Sequence, residues 1–82
     1  MMDVLYFAWV RERIGVPREV VNSQARTVNE LVAELAAREE RYAAAFADIS
    51  ALRVALDQEL SSFDATLEGV REVAFFPPMT GG

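Results

Sequence analysis

The stretch Thr27-Val28-Asn29-Glu30-Leu31-Val32-Ala33-Glu34-Leu35-Ala36 decides the fold. Thr27 followed three residues later by Glu30 has the form of a capping box, in which each side chain satisfies a backbone N–H left free at a helix start. The apolar positions Val28, Leu31, Val32, Leu35 and Ala36 fall 3, 1, 3 and 1 apart and trace one stripe of an amphipathic helix. Glu34 and Arg38, four apart on the solvent side, add a small favourable pair. The pattern predicts a helix over residues 28–40. A single apolar stripe needs an apolar layer to cover it, so the flanking segments must supply a sheet.

On the N-terminal side, Met2 to Trp9 is rich in aliphatic and aromatic residues and reads as a strand. Alternation puts Met2, Val4, Tyr6 and Ala8 on one face, and Asp3, Leu5, Phe7 and Trp9 on the other. Asp3 marks the second set as outer. Arg11 to Gly15 reads as a turn or one helical turn closed by Gly15, and Arg18 to Asn22 as a second strand centred on Val20 and Val21. On the C-terminal side, Ala43 to Phe46 continues a helical composition after a break near Glu39-Glu40. Leu52, Val54 and Leu56 alternate with Arg53, Ala55 and Asp57 and give a third strand. Asp57-Gln58-Glu59 reads as a turn, Leu60 is a lone apolar residue, and Ser61 to Leu67 is irregular, anchored by Phe63. Glu72 to Phe76 is the last strand. With Val73 and Phe75 on the core face, Phe76 must point away. These elements predict an α+β roll, a mixed sheet of about four to five strands with one main helix on one face. The other face exposes Leu5, Phe7, Phe76 and Leu60, an interface unless a loop or Trp9 covers it.

A chain of 82 residues makes one domain with a small core. Its 52% apolar and 26% charged residues suit a globular fold. No apolar run is long enough to span a bilayer, and the N-terminus lacks the basic start of a signal peptide, so a cytoplasmic protein without a membrane partner is expected. The net charge of −5 argues against nucleic acid as a partner. With no cysteine and no histidine, thiol chemistry and the usual general base are excluded, and so are the commonest metal ligands. All eight cations are arginines, so Schiff-base chemistry is excluded too. Asp57 and Glu59 read as solvated carboxylates rather than an acid–base pair.

What stands out chemically is the end of the chain, Phe75-Phe76-Pro77-Pro78-Met79-Thr80-Gly81-Gly82. Pro77 and Pro78 remove two N–H donors in succession, so the strand through Phe75 must stop pairing there. Beyond Phe76 six residues, extended at roughly 3 Å each, reach about 18 Å from the body. Gly81 and Gly82 have no side chains, so the last carboxylate can enter a channel too narrow for any other residue pair. The chain therefore divides into a domain at 1–76 and an extended tail at 77–82 suited to delivering a terminal carboxylate. Terminal glycines also occur in frayed tails and expression scars.

The strand-helix-strand order with a terminal Gly-Gly resembles the ubiquitin-like β-grasp superfamily. It is most similar to the sulfur-carrier branch and the small subunits of molybdopterin synthase. The resembling residues are Val4-Leu5-Tyr6-Phe7-Ala8, Val10-Arg11-Glu12, Gly15, Ala55-Leu56-Asp57-Gln58, Ser62-Phe63 and Glu72 through Gly82. Family members often carry Asn where this chain has Asp57, and an acidic, glycine-containing turn before Glu72. The resemblance implies that an adenylyltransferase resembling ubiquitin-activating enzymes uses ATP to adenylate Gly82, and that a persulfide donor converts it to a thiocarboxylate. The tail (Pro77, Pro78, Met79, Thr80, Gly81) would then enter the large subunit of a heterotetrameric synthase. There the sulfur passes to a pyranopterin precursor, forming the molybdopterin dithiolene. It further implies that Phe7, Leu60, Phe76 and Arg11 bind partners, that this chain holds no cofactor or metal, and that catalytic residues lie in the large subunit. A carrier for thiamine synthesis or tRNA thiolation, a protein modifier, and an interaction module with an inert tail remain open readings.

Overall fold

The computed structural model describes residues 1–78. Strand β1 (Met2–Tyr6) pairs antiparallel with β2 (Arg18–Val21) and parallel with β5 (Glu72–Phe76). Strand β3 (Arg53–Leu56) pairs antiparallel with β5 on its other side and with β4 (Glu59–Ser61) at the edge. The order β2-β1-β5-β3-β4 makes a mixed five-stranded sheet. Helices α1 (Ala8–Ile14), α2 (Val28–Ala36) and α3 (Glu40–Ala45) share its core. This is the β-grasp arrangement expected from the sequence.

Helix α2 starts as its capping pattern requires. Thr27 Oγ1 accepts the Glu30 N–H at 3.2 Å. The returning bond runs one residue earlier than in the ideal box, Glu30 Oε1 accepting from Arg26 N–H at 3.1 Å. Val28, Leu31, Val32 and Leu35 are buried, and Ala36 is partly so. The helix stops at Ala36 instead of continuing to residue 40, and α3 begins at Glu40. An unbroken helix from Val28 to Phe46 would run about 28 Å, whereas five-residue strands span about 17 Å. The break keeps Tyr42, Ala45 and Phe46 over the core, all at most 5% exposed.

Strand β1 is shorter than expected. It ends at Tyr6, and Ala8 and Trp9 belong to α1. Val10 and Ile14, four apart and fully buried, define a helical face that overrides the strand-like composition of residues 7–9. The chain turns sharply at Ala8, whose φ of +52° lies in the left-handed region and costs about 1 kcal/mol or more. Gly15, at φ +97°, closes α1, and Arg41 donates to the Ile14 carbonyl at 2.6 Å, tying α3 to that end. Strand β4 was not evident in the sequence because a three-residue, exposed edge strand has no buried face to impose alternation. Asp57 and Gln58 both take positive φ (50° and 71°), the two-residue turn that joins twisted strands.

Candidate functional site

Register places the expected outer residues in a line. Leu5 lies opposite Ala74, Ala74 opposite Ala55, and Ala55 opposite Leu60, so one row crosses four strands on the face away from the helices. Its centre is two alanines and its flanks are larger. The result is a trough of about 590 Å³ lined mainly by Leu5, Phe7, Ala55, Ala74, Phe76 and the two prolines, with Ala8, Gln58 and Glu72 completing it. Pro77 and Pro78 are half-buried and lie outside any strand, as their missing donors require.

The site residues expected from the sequence divide into three groups. Phe7, Phe76, Pro77 and Pro78 come together in the groove. Leu60 shares its face through Ala55 but stands 73% exposed on the edge strand, outside the lining. Arg11 is exposed on α1, does not line the groove, and has no ion-pair partner among the described residues. The expectations for Met79, Thr80, Gly81 and Gly82 lie outside the described residues. Trp9 does not cover the groove; it packs against the core, with the Arg13 guanidinium carbon 5.1 Å from its ring centroid.

Sequence reasoning missed Ala74, Ala55, Gln58 and Glu72 as parts of this site. The signal was present, since alternation along β5 puts Glu72, Ala74 and Phe76 on one face. Asp57 is not merely solvated: its Oδ1 accepts the backbone N–H groups of Arg71 and Glu72, each at 3.0 Å. It thereby stitches the β3–β4 turn to the start of β5, and the carboxylate works as a structural brace. Among the described residues no three His, Cys, Asp or Glu side chains gather as a metal site would require. No helix there is long and apolar enough to cross a membrane.

A second polar feature lies on the helix side. Tyr6 and Tyr42 both donate to Glu19 Oε2 at 2.7 Å, and Arg38 approaches Glu19 Oε1 at 3.8 Å. Burial, and then the hydrogen bond and charge of Glu19, push both phenols above their usual pKa. This network joins β1, β2 and α3 and satisfies the buried hydroxyls of both tyrosines.

The fold and groove define a β-grasp domain with an uncovered apolar face beside its C-terminal segment. The chain matches the ThiS family over residues 4–82 and belongs to it. It is 45% identical over 82 residues to the molybdopterin synthase sulfur carrier subunit of Escherichia coli (strain K12), covering 100% of both chains. The molybdopterin synthase sulfur carrier subunit of Haemophilus influenzae is 35% identical over the same length, again with 100% coverage of both. Among solved structures, SAMP1 from Haloferax volcanii superposes with a TM-score of 0.76 at 21% identity, covering 99% of this chain and 98% of that one.

Proposed function

We propose that this chain is the sulfur carrier subunit of a molybdopterin synthase and works in the cytoplasm. The observation that carries the reading is the 45% identity, end to end, with a relative of that name. The residue inventory supports it: a chain without cysteine, histidine or lysine has little to catalyse with, and the carboxylate at Gly82 is its distinctive reactive group.

In this mechanism an adenylyltransferase of the ubiquitin-activating type converts the Gly82 carboxylate to an acyl-adenylate with ATP. Adenylation replaces a poor leaving group by a good one, so a persulfide donor can displace AMP to form an acyl disulfide, whose S–S bond a second thiol then cleaves, leaving a thiocarboxylate and a disulfide. The groove docks the large subunit through Phe7 and Phe76, with Leu60 at its margin. Pro77 through Gly81 thread toward that subunit's active site, where the sulfur passes to the pyranopterin precursor. Catalytic side chains and any cofactor belong to the partners.

Intact mass spectrometry after incubation with the adenylyltransferase, ATP and a sulfur donor tests the reading. The expected product gains the mass of sulfur replacing one oxygen. Replacing Gly81 or Gly82 by a bulky residue should abolish that gain. An unchanged mass with an adenylyltransferase active on a control carrier overturns the reading.

A further inference from the structure

Among the described residues, Glu72 is the only charged side chain lining the groove. Two residues before Ala74 on β5, it takes the same face of the sheet. Its neighbour across the parallel pair is Asp3, another carboxylate. Like charges directly opposite each other weaken a sheet. Asp3 is compensated, its Oδ1 lying 3.1 Å from the Arg18 guanidinium, but Glu72 is not. All eight arginines fall within the described residues, and none forms an ion pair with Glu72. Arg53, at the other end of the same face, is occupied by the carbonyls of Ser50 and Leu52. The Glu72 side chain therefore makes no ion pair within the fold, and its position opposite Asp3 is unfavourable to the isolated domain.

The consequence appears when the groove is covered. A partner that seats on Leu5, Ala74 and Phe76 removes water from the carboxylate of Glu72, a half-buried residue. Burying an unpaired carboxylate is strongly unfavourable, so a tight complex must provide a cation where water was lost. We propose that Glu72 is the charge determinant of the docking groove. The surface seated there carries an arginine or lysine apposed to Glu72, beside an apolar projection that fills the trough over Ala74 and Ala55. The proposal rests on the reading of this groove as the large-subunit docking face.

Titration calorimetry of the full chain against the molybdopterin synthase large subunit of the same organism, at low and high salt, tests it. Wild type and three variants are compared: Glu72→Gln, Glu72→Asp, and Glu34→Gln on the helix side of the sheet. Glu72→Gln should weaken binding about tenfold or more at low salt and flatten its salt dependence. Glu72→Asp, which keeps the charge on a shorter stem, should retain more affinity than Glu72→Gln. Glu34→Gln makes the same change in net charge and should bind like wild type. Thermal unfolding should occur at the wild-type temperature in Glu72→Asp and at or slightly above it in Glu72→Gln, because the carboxylate has no ion pair to lose and a like charge opposite it. Wild-type affinity in Glu72→Gln overturns the proposal while leaving the docking face intact. An equal loss in Glu34→Gln also overturns it, in favour of a long-range field. Failure of the wild-type chain itself to bind sinks the docking reading as well, and so is told apart from the other two.

Discussion

Both faces of the sheet are apolar, yet one lies beneath helices and the other is open. Val4, Tyr6, Val54, Val73 and Phe75 face the helices and are at most 1% exposed. Leu5, Ala55, Ala74 and Phe76, interleaved with them on the same strands, form the groove. What separates the faces is the profile of side-chain size. The covered face carries large side chains that interlock with the helices at interior density. The open face puts two alanines at its centre and larger residues around them, which makes a hollow for someone else's side chain. Hydrophobicity alone does not say which face of a strand is covered by its own chain.

Adjacent phenylalanines offer the hardest test of that contrast. Phe75 is fully buried and contacts Tyr6, Phe46 and Phe63, with ring centroids 6.3, 4.9 and 6.3 Å away. Phe75→Ala should destabilise the domain by about 3–5 kcal/mol, comparable with the whole stability expected of so small a core. Circular dichroism with urea titration should show a variant largely unfolded at room temperature. Phe76→Ala, one residue on, should cost about 1 kcal/mol and leave a cooperative transition. Similar losses at the two positions would mean that the open face is a second core.

The polar network on the covered side predicts the next largest effect. Glu19→Ala leaves the buried hydroxyls of Tyr6 and Tyr42 without their acceptor and should cost about 2 kcal/mol. Replacing both tyrosines by phenylalanine in that background should recover part of the loss. The same network gives a pH dependence of definite sign. Both phenols keep their protons to higher pH in the folded domain than in the unfolded chain, where tyrosine ionises near pH 10. Their contribution is complete below about pH 10 and is lost as pH rises beyond it. Urea midpoints measured from pH 8 to 11 should fall only at the alkaline end, and the decline should lessen in the double phenylalanine variant.

Much of the covered face was legible because burial imposes periodicity. The stripe Val28, Leu31, Val32, Leu35 and the alternation through Val54, Leu56, Val73 and Phe75 survive almost unchanged in the structure. The elements that were misjudged are those set by tertiary geometry. The end of β1 depends on Val10 and Ile14 finding the core, and the break after Ala36 depends on the length of the strands it crosses. Half of the groove was legible as well, since Phe7 and Phe76 are large residues on an outward face. Ala74, Ala55 and Glu72 were missed: alternation puts Ala74 and Glu72 on the face of Phe76, but only the register shows that the small residues line up into a hollow. The brace made by Asp57 depends on a bond to residues 14 and 15 positions away, which no local pattern encodes.

The smallest expected effect on stability sharpens the comparison most. Leu60 is 73% exposed on an edge strand and shares the groove's face without lining it. Leu60→Ser removes an apolar side chain that buries little within the domain, so the urea midpoint should move by no more than about 0.5 kcal/mol in free energy. Its effect should appear only with a partner present, as weaker binding of the large subunit in the same titration. The separation matters because Val20, 60% exposed on the opposite edge strand, is an equally apolar residue with no place in the groove. Val20→Ser should be silent in both measurements. If both substitutions weaken binding alike, the partner reads apolar edges in general and the hollow at the centre of the sheet loses its special role.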